Sequence, residues 1–237
     1  MATLVTGAFG CIGAWVCKRL LEAGERPIAF DVGEHTIDRI IHLAAWPVPL
    51  CRQDPSRGAL IKVAGTANVF EAAKTHRDRV SRVTYFSSAG VFGPPHLYGP
   101  GPVTDDSPPQ PATHYGVYKV ANEEMARIYL EEHKIPSMGF RPLTVYGPGR
   151  DFGLTADPTP AMKSAVLGRP FEIRWGGATD FIYADNVARV YKLPGESAKV
   201  GPAPRTGIKD GIGRTLDEFA ALQKAGRLDA RELEPQK

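Results

Sequence analysis

Short apolar runs alternate with amphipathic stretches along residues 2–141. Apolar runs of this length, bounded by turn residues, are typical of buried parallel strands. They occupy residues 2–6, 27–30, 39–45, 82–86 and 137–141. Apolar positions at helical spacing predict helices over about residues 12–23, 65–75 and 114–133. Because strands alternate with helices, we predict an α/β fold with a Rossmann-like, doubly wound parallel sheet.

The pattern is weaker elsewhere. Residues 93–111 contain seven prolines, which predicts a long loop, since proline fits neither a strand ladder nor a helix interior. The segment from Thr215 to Glu218 has the form of a capping box and predicts the start of a last helix. A strand-like run begins at Tyr191. We expect residues 1–150 to form the main domain and residues 151–237 a smaller lobe, partly interleaved with it.

Composition narrows the class of protein. The 237 residues suffice for one sizeable core, and 43% hydrophobic with 23% charged residues is typical of a globular protein in solution. The net charge of +3 is spread along the chain, which argues against nucleic-acid binding. No run approaches the length of a membrane span. Three cysteines without a CxxC pair favour free thiols, with no metal site, in the cytoplasm.

A glycine-rich turn separates the first predicted strand from the first predicted helix. Gly7, Gly10 and Gly13 suit a pyrophosphate: they permit a tight turn, close approach of a phosphate to the helix N-terminus, and close packing of helix against strand. Asp31 lies 18 residues after Gly13, where a carboxylate accepts hydrogen bonds from an adenosine ribose. This carboxylate would repel a 2′-phosphate, so the pattern favours NAD over NADP.

Tyr115 and Lys119 lie one helical turn apart in the third predicted helix. Residues at this spacing share a helix face, so the ammonium group can lie beside the phenol. A free tyrosine titrates near pH 10, and a neighbouring cation favours the phenolate that accepts a proton at lower pH. The pair therefore indicates proton transfer in a redox enzyme, although its spacing alone is weak evidence.

Several segments together resemble the extended short-chain dehydrogenase/reductases, the NAD-dependent epimerase/dehydratase family that includes UDP-galactose 4-epimerase. They occur in the family's order across residues 3–150, and a fainter resemblance continues through Asp180-Phe181-Ile182-Tyr183-Ala184-Asp185-Asn186-Val187. The segments are Thr6-Gly7-Ala8-Phe9-Gly10-Cys11-Ile12-Gly13, His42-Leu43-Ala44-Ala45, Gly65-Thr66-Ala67-Asn68, Phe86-Ser87-Ser88-Ala89-Gly90-Val91-Phe92-Gly93, Tyr115 with Lys119, and Arg141-Pro142 leading to Val145-Tyr146-Gly147-Pro148-Gly149.

The resemblance implies roles for particular residues. It implies that Tyr115 is the general acid/base, that Lys119 supports it and binds a ribose, and that Ser88 hydrogen-bonds the reacting oxygen. The cofactor-binding residues it implies are Gly7, Phe9, Gly10, Cys11, Ile12, Gly13, Asp31, Leu43, Ala44, Ala45, Tyr115, Lys119 and Pro142. The substrate-binding candidates are Trp46, Ser88, Ala89, Arg150 and Arg174. It places NAD and the catalytic residues in residues 1–150 and the substrate lobe in residues 151–237, and suggests a homodimer through helices at about 66–76 and 114–133.

The chain departs from the family pattern at a few positions. Ala89 and Gly90 stand where sugar-nucleotide dehydratases have an acidic pair, which argues against elimination of water. Thr179 replaces an arginine that grips a diphosphate in sugar-nucleotide enzymes, which argues against a UDP-sugar unless Arg150 or Arg174 substitutes. Lys62 stands where the family often has asparagine, and Tyr118 where it often has serine. We expect Tyr118 to lie away from the catalytic face.

The sequence leaves three functions open. The first is an NAD-dependent oxidoreductase or epimerase that acts on a hydroxyl or carbonyl of a sugar or sugar-derived substrate. The second is a UDP-sugar 4-epimerase. The third, from another class, is a non-catalytic NAD-binding regulator, which would not need Ser88, Tyr115 and Lys119.

The link from Val32 to Arg39 is short. The family has a helix, a strand and a helix at this point, whereas eight extended residues span about 26 Å and cannot include a covering helix. We expect similar shortening near Val190-Tyr191 and Ala198-Lys199. The hypothesis is that the intact protein has further residues at these points, and a measured mass above that of 237 residues would support it.

Overall fold

A five-stranded parallel sheet forms the centre of the protein. The computed structural model describes residues 2–29, 37–191 and 206–234. The sheet has the order β2-β1-β3-β4-β5. Its strands are β1 (Ala2–Thr6), β2 (Arg26–Ile28), β3 (Arg39–His42), β4 (Arg82–Phe86) and β5 (Ser137–Phe140). All four neighbouring pairs are parallel, which confirms the predicted Rossmann-like sheet.

Three strands end earlier than predicted, among them β5, which ends at Phe140. β2 ends at Ile28 and β3 at His42, so residues 43–45 leave the sheet edge as a loop. Residues 30–36, including Asp31 and most of the short link after β2, lie outside the described part of the chain.

Helices cover both faces of the sheet because adjacent strand residues point to opposite sides. Ile41 packs with Val5, Leu20 and Ala188 in one core cluster. Its neighbour Ile40 packs in a second cluster with Phe70, Val83 and Ala126. Helix α1 (Cys11–Glu22) contributes to the first cluster, and helices α4 (Gly65–Thr75) and α5 (His114–His133) contribute to the second, on the other face.

The predicted bounds of α4 and α5 are confirmed. Thr113 caps α5, since its hydroxyl accepts a hydrogen bond from the Gly116 N–H at 3.0 Å. Residues 93–111 form the predicted loop, with one short 3₁₀ turn at Pro95–Leu97. The Tyr98 hydroxyl links two distant parts of this loop. It accepts a hydrogen bond from the Gly93 N–H and donates one to the Pro108 carbonyl, both at 3.1 Å.

A helical stretch before α4 was not predicted. It consists of α2 (Val48–Gln53), α3 (Pro55–Ala59) and a π-helical turn, Leu60–Ala64, which runs directly into α4. Proline occupies the first turn of α2 and of α3, where its missing N–H costs nothing. The Asp54 side chain caps α3 by accepting from the Arg57 N–H at 2.9 Å.

The described residues beyond 141 add a small parallel pair and four helical elements. The strands are β6 (Thr144–Tyr146) and β7 (Phe181–Tyr183). The helices are α6 (Pro158–Val166), α7 (Ala184–Tyr191) and α8 (Ile208–Lys224), followed by a 3₁₀ turn, Arg231–Leu233. Helix α7 packs on α1, and buried Asp185 binds both Arg19 of α1 and Arg189. This segment of the chain therefore contributes to the core of the main sheet.

Two predictions for this segment are wrong. Thr215 does not begin the last helix, because α8 starts seven residues earlier and the Thr215 hydroxyl donates to the Gly211 carbonyl at 2.7 Å inside it. Tyr191 is the last residue of α7, not the start of a strand; residues 192–205 lie outside the description. Within the described residues, no helix has the length and apolar character needed to cross a bilayer.

Candidate active site

Three loops that carry predicted cofactor-binding and catalytic residues lie at the carboxyl edge of the sheet. The glycine-rich turn follows β1, residues 43–45 follow β3, and Ser87 and Ser88 follow β4. Parallel neighbouring strands end at the same edge, so these three loops are adjacent. Ligands of open α/β sheets bind at this edge.

The glycine-rich turn leaves no room for side chains at two positions. Gly7 has φ +72°, and a Cβ atom there would lie 2.8 Å from the Ala44 nitrogen. A Cβ atom at Gly13 would lie 2.0 Å from the Gly7 carbonyl oxygen. Gly10 is the N-cap of α1 without a side-chain cap, and the first turn has no acidic residue. The helix N-terminus is therefore open to a phosphate, and the cradle fits the pyrophosphate of a dinucleotide.

The other residues of the turn have different surroundings. Phe9 is 95% exposed, whereas Ile12 packs against the core cluster of Val5. The Cys11 thiol lies 3.7 Å from the Pro148 carbonyl, and burial raises its pKa to about 12, so it is not a nucleophile. The Trp15 indole donates to the same carbonyl at 3.2 Å. These contacts join the turn to the loop after β6.

The remaining cofactor candidates outside α5 lie in loops at the same edge of the sheet, with one exception. The Leu43 N–H donates to the Thr6 carbonyl at 3.0 Å, which continues the pairing between the two strands and brings Ala44 beside Gly7. Ala45 follows in the same loop. The Pro142 carbonyl accepts from the Ala89 N–H at 3.1 Å, so Pro142 adjoins the turn after β4. The exception is Asp31, which the structure does not describe.

Ser88 and Tyr115 are brought together by glycine contacts. The Ser88 hydroxyl accepts from the Gly90 N–H at 3.0 Å. A Cβ atom at Gly90 would lie 3.7 Å from the Tyr115 ring, and one at Gly116 would lie 2.2 Å from the Gly90 carbonyl oxygen. Helix α5 thus rests directly on the turn after β4, with the two hydroxyl-bearing side chains adjacent.

Burial dominates the ionisation of Tyr115. Burial raises the pKa of its phenol, while a hydrogen bond from Ser88 and the positive charge of Arg150 lower it. The Lys119 ammonium lies 5.6 Å from the centre of the Tyr115 ring and donates to the Phe86 carbonyl. Lys119 is only 3% exposed, and burial together with neighbouring Lys62 holds its pKa well below the usual value.

A chain of hydrogen bonds lies behind these residues. The His42 ring contacts the Thr6 hydroxyl at 2.7 Å through Nδ1 and the Thr66 hydroxyl at 3.1 Å through Nε2. Thr66 itself donates to the Lys62 carbonyl at 2.6 Å. The consistent assignment is that Thr6 donates to Nδ1 and Nε2–H donates to Thr66. Burial and the two nearby lysines lower the pKa of His42 to about 4, so the ring is neutral at pH 7.

Lys62 contributes to the site in a way that the sequence did not indicate. The substitution for the family's asparagine was visible, but not its position: the residue is 1% exposed, and its Nζ atom lies 4.1 Å from the centre of the Tyr115 ring. The pattern of polar and apolar residues around Lys62 does not indicate this contact, because the contact depends on the π-helical turn that contains Lys62.

Of the substrate candidates, Arg150 and Ala89 lie near Ser88 and Tyr115, whereas Arg174 and Trp46 have other partners. The positive charge of Arg150 is near enough to lower the pKa values of both Cys11 and Tyr115 against the effect of burial. Ala89 lies in the turn after Ser88. Arg174 is instead bound to Asp157, a nearly fully buried carboxylate that also accepts from the Arg174 backbone N–H. The Trp46 ring lies 5.2 Å from the Arg57 guanidinium.

A cavity of about 400 Å³ adjoins Tyr115. Its lining includes Val48 and Arg52 of α2, and His114 and Val117 of α5. Neither Arg52 nor His114 was a sequence candidate: Arg52 lies in α2, which was not predicted, and no motif of the sequence singled out His114 at the start of α5. Tyr118 points away from Tyr115, as expected: its hydroxyl donates to the Pro55 carbonyl at 2.7 Å and holds α3 against α5.

Comparison with known proteins identifies the family. Residues 30–206 match the NAD dependent epimerase/dehydratase family. The chain belongs to this family and is an NAD-dependent enzyme, and the glycine-rich cradle fits its cofactor. A UDP-glucose 4-epimerase of Mycolicibacterium smegmatis is 28% identical over 99% of this chain and 86% of its own length.

Solved structures agree with the fold. The UDP-glucose 4-epimerase of Thermus thermophilus, in complex with NAD, gives a TM-score of 0.68 at 20% identity, over 81% of this chain and 73% of its own. The UDP-glucuronic acid 4-epimerase of Bacillus cereus, in complex with UDP-glucuronic acid and NAD, gives 0.65 at 25% identity, over 80% of this chain and 71% of its own.

The alignment with the M. smegmatis enzyme runs over 276 positions, whereas this chain has 237 residues. That relative therefore has segments without a counterpart here. This agrees with the expected shortening of the chain.

Proposed function

We propose that the protein transfers hydride to and from a hydroxyl-bearing carbon of a sugar substrate, with Tyr115 as the acid/base. The observation that carries this proposal is the contact of Ser88 and Tyr115 beside the glycine-rich cradle. A non-catalytic NAD-binding protein would have no need for this arrangement.

The side chains have separable tasks in this proposal. Tyr115 takes the proton of the substrate hydroxyl on oxidation and returns a proton on reduction. Ser88 hydrogen-bonds the reacting oxygen and holds it close to the phenol. Lys119 lies beside the phenol and binds the cofactor ribose. Bound NAD supplies the hydride acceptor.

Epimerisation is the reaction that the relatives favour. The M. smegmatis, T. thermophilus and B. cereus proteins are all named as 4-epimerases of UDP-sugars. An epimerase retains the reduced cofactor and returns the hydride to the opposite face of the ketone. A dehydrogenase on the same site would release NADH and a keto product.

The substrate proposal follows from the same relatives and from Arg150. We propose a UDP-sugar, with the diphosphate bound near Arg150 because Thr179 has no charge and forms a 3.0 Å hydrogen bond with Thr144. The Arg150 guanidinium donates from Nη1 to the Phe152 carbonyl at 2.7 Å, but among the described residues no carboxylate binds it, so its charge remains unpaired and can attract an anion. Arg174 is less suited because Asp157 already holds its guanidinium.

The test is to incubate the protein with NAD and UDP-glucose, UDP-galactose, UDP-glucuronate or free sugars and sugar acids. The products are separated chromatographically while NADH absorbance is followed. The proposal predicts 4-epimeric UDP-sugars without release of NADH. Oxidation of a free sugar with NADH release would support the dehydrogenase alternative, and NAD binding without any turnover would contradict the enzymatic proposal.

Arg150→Met tests the diphosphate site. We expect it to raise KM for the UDP-sugar while kcat changes less, because a lost bidentate contact to phosphate weakens ground-state binding. Arg174→Met is the matched control and should leave KM unchanged. Equal effects of the two substitutions would place the diphosphate elsewhere.

A further inference from the structure

Lys62 is an unusually placed lysine. It is 1% exposed, whereas lysine is almost never fully buried without a partner. Its backbone lies in the π-helical turn, and its carbonyl accepts from Thr66, which ends the hydrogen-bond chain through His42. π-helical turns are rare and often occur at functional sites. The backbone is thus fixed where it directs the side chain inward.

The Nζ atom of Lys62 has no acidic partner. Among the described residues, no carboxylate or carbonyl accepts a hydrogen bond from it. It lies 4.1 Å from the centre of the Tyr115 ring, and Lys119 Nζ lies 5.6 Å from the same centre. Both amines are buried and approach the same aromatic ring, so two full positive charges there would repel each other without a carboxylate to offset them.

The ionisable groups that face the two lysines do not neutralise two positive charges. Tyr115 faces them from α5, the Cys51 thiol from α2 and the neutral His42 ring from β3. Glu123 acts on Lys119 from one turn further along α5, but Arg141 already binds it. Burial lowers the pKa of Lys62 to about 8 and that of Lys119 well below its usual value.

We propose that Lys62 and Lys119 form a buried pair that holds a single proton above the Tyr115 ring, which makes Lys62 a positioning residue of the acid/base centre. The proton resides mainly on Lys62, which is nearer to the ring, while Lys119 donates to the Phe86 carbonyl. The ammonium over the ring stabilises the phenol and, more strongly, the phenolate that forms during oxidation. The inference rests on the proposed role of Tyr115 and deepens it.

The pair makes a definite prediction about proton uptake. When the wild-type protein unfolds at pH 7, both lysines become protonated, so the pair takes up one proton. Lys62→Met and Lys119→Met each leave one lysine, and this lysine keeps the proton in the folded state. Proton uptake by the site on unfolding therefore falls to zero. The double variant also shows none. Methionine matches the length of the lysine stem and needs no hydrogen bond.

The uptake is measured from the slope of the unfolding free energy against pH in urea titrations around pH 7. Uptake that falls by one proton in each single variant and no further in the double variant supports the shared proton. Two independent neutral lysines would lose one proton of uptake at each step, and two permanently charged lysines would show no change. Either result overturns the proposal.

The pH profile of turnover provides a second test, because a purely structural role of Lys62 would leave this profile unchanged. In Lys62→Met the limb of kcat/KM that reports Tyr115 should move to higher pH, because the remaining cation lies farther from the ring. An unchanged limb in a folded, active variant would also overturn the proposal. Tyr115→Phe separates this inference from the proposed function: if it retains turnover, Tyr115 is not the acid/base, whatever the proton count.

Discussion

Helix α5 approaches the turn after β4 so closely at Gly116 that a Cβ atom there would lie 2.2 Å from the carbonyl oxygen of Gly90. The Gly90 carbonyl belongs to the backbone, so it cannot make room for a side chain without moving the turn. The contact fixes the distance between α5, which carries Tyr115 and Lys119, and the turn that carries Ser88. Alignment of the proposed acid/base with the reacting oxygen therefore depends on a residue that has no side chain.

Gly116→Ala should destabilise the protein by about 1–3 kcal/mol, the usual cost of overpacking, and reduce turnover by more than the loss of folded protein explains. Unfolding in urea and kcat/KM check the two effects. Gly213→Ala is the control, since nothing lies within 4 Å of its Cβ position in α8, and it should stabilise the protein by about 0.5–1 kcal/mol. A fully active, stable Gly116→Ala would show that α5 can shift without consequence.

Gly13→Ala should weaken NAD binding. The new methyl group would lie 2.0 Å from the Gly7 carbonyl oxygen and force the cradle apart from α1. Titration with NAD or NADH measures the affinity. Gly65→Ala, with its nearest neighbouring atom at 3.9 Å, should bind as tightly as the wild type. Unchanged affinity in Gly13→Ala would mean that the pyrophosphate does not use this turn.

His42 should make the fold sensitive to mild acid. Its folded pKa of about 4 lies below the unfolded value of 6.5, so the unfolded state binds a proton first and stability falls as the pH drops below about 6.5. From pH 7 to pH 5 this loss amounts to about 2 kcal/mol.

Urea unfolding of His42→Asn at pH 7 and pH 5 tests this prediction. The variant should be less stable at pH 7, because its hydrogen-bond chain is broken, but should lose less stability between the two pH values. Exposed His96 provides the control: His96→Gln should keep the full acid dependence. Identical acid dependence in His42→Asn and the wild type would contradict the neutral, buried ring.

The homodimer expected from the family remains a prediction, for which α5 offers a surface. Val117 and Ile128 are 49% and 37% exposed and lie three turns apart on one face of this helix. Substituting both with glutamate should convert a dimer to a monomer in light-scattering measurements. Leu21→Glu, at an exposed position on α1, should not. A monomeric wild-type protein would contradict the expectation.

The strands and long helices of the main sheet could be predicted because each repeats a simple pattern. Helix α5 follows a threonine that caps its N-terminus, and its twenty residues contain no proline. Its predicted bounds are those of the structure. The turn glycines were recognisable since only glycine fits at position 7, beside Ala44. Local sequence and tertiary packing agree at these places.

The prediction failed where tertiary contacts override local signals. Helices α2 and α3 were not predicted, and each has a proline, Pro49 or Pro55, in its first turn. Thr215 had the right neighbours for a cap, but its hydroxyl bonds within α8 instead. The environment of Lys62 depends on a π-helical turn and on contacts with α5, which is distant in sequence. Sequence patterns contain no information about such a contact.

The proposed role of Tyr115 is tested most directly by Tyr115→Phe. With the UDP-sugar that the wild-type protein epimerises, this variant should bind NAD with unchanged affinity and lose turnover by at least about 100-fold, since only the proton-transferring hydroxyl is removed. Turnover near the wild-type rate, at unchanged NAD affinity, would contradict the account.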